Sequence, residues 1–285
     1  MRNAMLAATL GLLLLPPTAS AQAQPAAPAA VPAQAPESQA PAVPKASAVG
    51  SKIWVGRHAE MVEFLRTAPI DRTERIPIGV THPLKAFFAP GGPVLAAAVK
   101  HLPPGRQEGF WESYKSEIAA YEMDRLLGLD MVPVTVERRV GDSLASVQLW
   151  VENCRQLSKV DQSSCPKPDE WAKQVCRQRV FDNLVGNIDR NAGNLLIDPE
   201  WNLILIDHSR AFAANELPFE KQSTRIDREL LGRLKALDRA TLDKHLLPWL
   251  MFESNVRDLL KRRDKIVAHF EALAREKGES VVFPW

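Results

Sequence analysis

Two short apolar runs, 195–197 (Leu-Leu-Ile) and 203–206 (Leu-Ile-Leu-Ile), are separated by Asp198, Pro199, Glu200, Trp201 and Asn202. Short apolar runs around a cluster of turn-forming residues predict a β-hairpin. The feature is constraining because of what flanks it. Asn194 immediately precedes the first run and Asp207 immediately follows the second. A hairpin returns its second strand beside its first, so these two polar residues are expected at the same end. Five residues before Asn194 stands a second carboxylate, Asp189, followed by Arg190.

Two carboxylates and an amide gathered in this way suit phosphoryl transfer. That reaction takes a carboxylate that orients or deprotonates an attacking hydroxyl, and oxygen ligands for a metal ion bridging the nucleotide phosphates. Magnesium accepts hard oxygen donors and keeps several waters, so one amide and one carboxylate suffice. Any one of the three residues alone reads as hairpin turn chemistry. Their joint spacing, with Arg190 and the D-H-S-R-A-F sequence of 207–212, favours a site.

The segment resembles the atypical kinase superfamily that includes the phosphatidylinositol 3- and 4-kinases and secretory-pathway kinases such as Golgi casein kinase. The shared pattern, D-x-L-x-x-N-x-D-R-x-x-x-N followed by a later Asp, reads here as Asp182, Leu184, Asn187, Asp189, Arg190, Asn194 and Asp207. The resemblance implies a catalytic role for Asp189 and metal-binding roles for Asn194 and Asp207. It covers most of 76–212 and, more loosely, the helical remainder. Asn191 stands where several members carry His, and Ser209 stands where many carry Gly.

Upstream, 52–66 is expected to be an amphipathic helix with Ile53, Trp54, Met61, Phe64 and Leu65 on its apolar side. Leu84 to Ala89 and Val94 to Lys100 flank Pro90-Gly91-Gly92 and predict a second hairpin. The stretch before it, Gly79, Val80, Thr81 and His82, is a candidate phosphate-covering loop through its backbone N–H groups. Lys100 ends an apolar strand. Seventeen residues on lies Glu117, within a helical pattern whose apolar side is Ile118, Tyr121, Met123, Leu126 and Leu127 and whose stop is Gly128. Kinases pair a strand lysine with a helix glutamate to hold nucleotide phosphates. Lys100 and Glu117 are the candidates, with Glu122 the competing carboxylate. Two more strands follow, over 130–140 and 143–154. The segment 149–153 is then the expected hinge, where Val151 offers backbone groups to a nucleobase and Glu152 a side chain.

A helix is expected from Pro168-Asp169, with Asp169 as N-cap and Trp171, Val175, Val180, Leu184 and Val185 buried. It leads directly into the Asp189 loop, which Asp182 and Asn187 are expected to brace. Leucine-rich helices follow near 228–237, 241–252 and 255–277, the last with a basic face that includes Arg257, Lys261, Arg262, Arg263 and Lys265.

Residues 1–23 read as a secretory signal: Arg2, an apolar run from Met5 to Leu15, then small residues before Ala21 and Ala23. Residues 24–49, almost wholly Pro, Ala, Gln, Val and Ser, cannot bury enough apolar surface to offset ordering and read as a linker. Residues 50–285 remain for one bilobal domain, divided as 50–153 and 154–285. Thirty-six basic and thirty-four acidic residues give a net charge of +2, which argues against a nucleic-acid binder. In an exported chain, Cys154 and Cys165 are candidates for a bridge, with Cys176 buried in a helix.

The expectation is therefore an α+β, protein-kinase-like fold with a small β-rich N-lobe and a helical C-lobe. It is expected to be exported to the periplasm or beyond, without a transmembrane segment in the mature form. Its expected ligands are ATP and Mg²⁺ or Mn²⁺, and its acceptor an unidentified hydroxyl compound. A nucleotide-binding pseudokinase and a nucleotidyl transferase on the same fold are the alternatives.

Overall fold

The computed structural model describes residues 51–285 apart from 78–82, 108 and 214–222. The leader and linker, and the candidate loop residues Gly79, Val80 and Thr81, lie outside the described residues. Within these bounds the chain forms α1 (His58–Thr67), β1 (Ile70–Arg75), β2 (Leu84–Phe88), β3 (Ala96–Lys100), β4 (Gly105–Gln107), β5 (Phe110–Glu112) and α2 (Tyr114–Leu127). Then come β6 (Thr135–Val140), β7 (Ser143–Leu149), β8 (Arg155–Gln156), α3 (Pro168–Val185), β9 (Leu195–Ile197) and β10 (Leu203–Leu205). The last elements are α4 (Arg228–Ala236), α5 (Arg239–His245), α6 (Ser254–Lys277) and α7 (Glu279–Val282).

Five antiparallel strands in the order β1-β2-β3-β7-β6 make the N-lobe sheet. Its register pairs Ala98 with Lys85 and Gln148, and Lys100 with Ser146. Directly opposed residues share a face, so Lys85, Ala98, Lys100, Ser146 and Gln148 lie together on one side. The other side carries Ala86, Ala97, Val99, Val147 and Leu149, all buried. That apolar side is covered by α1, whose Met61 and Leu65 are buried and whose Phe64 meets Phe88 edge-on at 5.1 Å. The helix starts later than its pattern predicts. Ile53 to Gly56 form a turn, and Gly56 at φ +76° adopts a left-handed conformation that cannot continue a helix.

On the polar side α2 is delimited by its sequence. Ser113 caps it by accepting the Lys115 N–H, and Gly128, at φ +53°, closes it. Between β3 and α2 lies a small hairpin, β4–β5; the helical pattern extends back to Trp111, but Trp111 and Glu112 belong to β5 and the helix starts at Tyr114.

The β8–β9–β10 sheet begins the C-lobe and contains the hairpin expected from its flanking apolar runs. Leu195 pairs with Leu205 and Ile197 with Leu203. Asp198 builds the turn: its carboxylate accepts the Asn202 main-chain N–H at 2.7 Å and the Asn202 Nδ2 at 2.8 Å. Below it, α3 presents buried Trp171, Val180, Leu184 and Val185 and packs on α6. Its N-cap is Lys167 rather than Asp169. Pro168 takes the first turn, where its missing N–H costs nothing, and Asp169 and Glu170 follow it at the positive end of the helix dipole. The helix expected over 241–252 is shorter, because α5 ends at His245 and Pro248 sits in a separate 3₁₀ turn, Leu247–Trp249. No helix of the described residues is long and apolar enough to cross a membrane. Cys154, Cys165 and Cys176 are all free thiols, so the expected Cys154–Cys165 bridge is not formed.

Candidate functional site

Helix α3 stops where Gly186 turns left-handed at φ +65°, and the chain enters the segment that carries Asp189 and Arg190. This segment is held from three directions by one guanidinium. Arg190 Nε and Nη2 reach the two oxygens of Asp182 at 2.9 and 3.0 Å. Arg190 Nη1 donates to the carbonyls of Asn194 at 2.8 Å and Ile206 at 2.6 Å. Arg190 Nη2 also meets His208 Nε2 at 2.7 Å. Asp182 further accepts Gln178 and, at 3.2 Å, Asn187, whose own Oδ1 accepts the Asp189 main-chain N–H at 3.2 Å. Asp182 and Asn187 thus brace the loop, as expected from their positions in the sequence.

The hairpin brings its two ends together. The Ile206 N–H donates to the Asn194 carbonyl at 3.2 Å, so Asn194 and Asp207 leave adjacent strands at the same end. Asp207 is a non-glycine residue at φ +61°. Such a conformation is costly and persists where surrounding contacts over-determine it. Here the Arg190 bonds on one side and Lys100 on the other supply those contacts.

Lys100, on the polar side of the sheet, extends its ammonium to Glu117 Oε1 at 2.5 Å and to Asp207 Oδ1 at 2.6 Å. Glu117 is 2% exposed, and its second oxygen accepts the main-chain N–H of His208 at 2.9 Å. One carboxylate therefore binds both the strand lysine and the backbone just past Asp207. Burial by itself would lower the Lys100 ammonium, but Glu117 and Asp207 raise it above the ordinary lysine range. Burial by itself would raise Glu117, but Lys100 first and His208 second hold it well below the usual carboxylate range. Both groups are charged at neutral pH. His208 is completely buried and lowered by that burial and by Arg190, so it is neutral. With Nε2 facing Arg190, its proton lies on Nδ1, which is 3.7 Å from Glu117. Glu122, the competing carboxylate, takes no part. It is raised by its own burial, against the opposing influence of His245, Arg125 and Arg66.

The oxygens left open define what the site can hold. Asp207 Oδ1 takes the bonds from Lys100 and from Ser209 Oγ at 3.4 Å, whereas Asp207 Oδ2 accepts none among the described residues. Asn194 donates Nδ2 to the Asp189 carbonyl at 3.4 Å, which leaves Asn194 Oδ1 free among them. One amide oxygen and one carboxylate oxygen on adjacent strand ends are a fitting donor set for a hard divalent cation that keeps several waters. Asp189 is 43% exposed and turns one oxygen to Arg210 at 3.3 Å.

At the far end of the sheet's polar side, Leu149 ends β7, and Trp150 to Cys154 lead to the C-lobe sheet. Val151 is buried and Glu152 exposed in this connection. Lys85 lies over the Trp150 ring at 4.0 Å and reaches Glu152 at 3.8 Å. Four contributors have no role assigned from the sequence: Lys85, Glu112, and His208 and Arg210 of the D-H-S-R-A-F stretch. Glu112 had a local signal, since it immediately precedes the Ser113 cap and so lies outside the helix. Lys85 has no short-range signature.

No protein-family model matches the chain, and no curated protein matches it. Solved structures do. The chain is similar to Golgi casein kinase with Mn/ADP bound, at a TM-score of 0.59 and 16% identity, covering 79% of this chain and 78% of that one. It is also similar to hydra Fam20 with sugar, at a TM-score of 0.61 and 16% identity, covering 79% of this chain and 91% of that one. At such identity the likeness establishes the fold alone, which is kinase-like. It does not single out the phosphatidylinositol kinases named in the resemblance.

Proposed function

We propose that the protein is a kinase-like enzyme that transfers the γ-phosphoryl group of ATP to a hydroxyl acceptor. The observation that carries this reading is the contact of Lys100 with both Glu117 and Asp207, beside an Asn194–Asp207 pair that keeps one oxygen of each open. In the proposed mechanism Lys100, fixed by Glu117, holds the nucleotide phosphates. Asn194 Oδ1 and Asp207 Oδ2 hold the cation, Mg²⁺ or Mn²⁺, which when bound neutralises charge on those phosphates. Asp189 orients the acceptor hydroxyl and receives its proton. Val151 and Glu152 border the nucleobase. The Mn and ADP held by the Golgi casein kinase neighbour support this choice of ligands. The leader over 1–23 directs the enzyme out of the cytoplasm.

The test is label transfer from ATP in the presence of Mn²⁺ and an extract of the cell envelope. Label passing to an acceptor from γ-labelled but not α-labelled ATP supports the reading. Transfer from the α position instead makes the protein a nucleotidyl transferase. Saturable ATP binding without any transfer makes it a pseudokinase.

A further inference from the structure

Arg210 lies three residues past Asp207, inside the D-H-S-R-A-F stretch, where no role falls to it from the sequence. Its surroundings are nonetheless built. Arg210 Nη1 faces Asp189 Oδ2 at 3.3 Å, and Arg210 Nε bonds Glu112, the last residue of β5. The guanidinium also lies over the Phe110 ring at 4.4 Å. Glu112 is 4% exposed and Arg210 15%, so the contact between them is largely shielded from water.

The backbone on both sides of Arg210 is stitched to the start of α2. The Ser113 N–H donates to the Ser209 carbonyl at 3.0 Å, and Ser116 Oγ donates to the Ala211 carbonyl at 3.3 Å. One residue earlier, His208 donates to Glu117. The run 208–211 therefore has little freedom relative to α2, and Arg210 has little freedom relative to that run.

An ion pair with a carboxylate as exposed as Asp189 adds little to stability. The arrangement instead fixes direction. A planar guanidinium forks between two carboxylates, one buried and one facing the cleft, and the buried one anchors it. We propose that Arg210 is a positioning residue that orients the Asp189 carboxylate toward the acceptor, with Glu112 and Phe110 as its anchors. The catalytic part of this inference rests on the phosphoryl-transfer reading. The orienting part rests on geometry alone.

The experiment uses the full chain with Mn²⁺ and ATP, following release of ADP with water as acceptor, together with a crystal structure of each variant. Arg210→Gln is expected to lower kcat by about 10- to 100-fold, the scale of a misplaced reacting group. KM for Mn–ATP is expected to stay within about twofold, because the Lys100, Asn194 and Asp207 contacts are untouched. Arg210→Lys, which keeps a charge facing Asp189, retains more of kcat than Arg210→Gln. In the Arg210→Gln crystal the Asp189 carboxylate leaves its present rotamer while Lys100 remains on Glu117 and Asp207. Unchanged kcat, or kcat and KM worsening together, would overturn the proposal. So would an Asp189 carboxylate that keeps its rotamer in the Arg210→Gln crystal. If the unaltered protein neither releases ADP nor passes γ-label to the envelope extract, phosphoryl transfer fails, and the crystal structure still decides whether Arg210 orients Asp189.

Discussion

Arg190 grips both oxygens of Asp182, at 2.9 and 3.0 Å, while the same guanidinium bonds the carbonyls of Asn194 and Ile206. A helix, a loop and a hairpin thus meet at one side chain. Replacing it with a neutral one strands a carboxylate that is 7% exposed. Arg190→Met is expected to cost about 3–5 kcal/mol in urea unfolding, the range for breaking a buried pair from one side. A cost under about 1 kcal/mol would show that the three elements hold together without it.

Lys100 and Glu117 form the second buried pair, and its pH dependence has a definite sign. Glu117 is held below the ordinary carboxylate range, so its stabilising contribution is present above the unfolded value, about 4.3, and fades as pH falls below it. Lys100→Met strands Glu117 as a buried charge and is expected to cost about 3 kcal/mol at neutral pH. That deficit is expected to shrink as pH falls from 7 to 4, because burial without Lys100 raises the stranded carboxyl above its ordinary range and lets it take up a proton. Denaturation at pH 7 and pH 4 checks this, and an equal deficit at both would contradict it.

Asp124 behaves in the opposite sense. It is buried within α2, accepts the main-chain N–H groups of Met131 and Val132 at 3.0 and 3.2 Å, and leaves its second oxygen without a partner among the described residues. Burial pushes its carboxyl up to about 7. A raised folded value means stability fully present at low pH and lost as pH rises through about 7. Asp124→Asn keeps an accepting oxygen without the charge, so its stability relative to the wild type is expected to improve between pH 4 and pH 7. A constant difference across that window would show that Asp124 does not titrate there.

Cys154 is raised to about 11, chiefly by burial, and neither it nor Cys165 is bridged. Alkylation of the unfolded, unreduced protein is expected to modify all three cysteines by mass. Two cysteines resisting alkylation until reductant is added would contradict the free-thiol arrangement.

What was legible in the sequence was short-range. The hairpin that joins Asn194 to Asp207 could be read because its turn chemistry and apolar runs are contiguous. Lys100 and Glu117 could be paired because a strand end and a helix face each have their own period. Gly128 stopped α2 where the pattern says it must. The boundaries that slipped did so at breakers with competing readings, Gly56 ahead of α1 and Pro248 after α5; α3 starts at Pro168 as expected, and only its cap differs, Lys167 in place of Asp169. Arg210, Glu112 and His208 were not legible because their partners lie 21, 98 and 91 residues away. Only the stitching of 208–211 to the start of α2 makes them neighbours. Arg190 was visible as part of a motif, but its role as the clasp between loop and hairpin depends on carbonyls that have no sequence signature.

Asp207 stands at φ +61°, which Asn tolerates better than most residues. Asp207→Asn is therefore expected to fold with an unstrained backbone and to lose the rise in melting temperature that ATP with Mn²⁺ gives the wild type. An undiminished rise would remove Asp207 from the cation site.

The account depends most on Asp189 acting in transfer and not in binding. The direct measurement is Asp189→Asn, titrated with Mn–ATP by calorimetry and assayed for γ-label transfer on the same preparation. The account predicts a Kd within about threefold of the wild type and transfer reduced by at least about 100-fold. Transfer at the wild-type rate, or ATP binding lost along with it, would contradict the role given to Asp189.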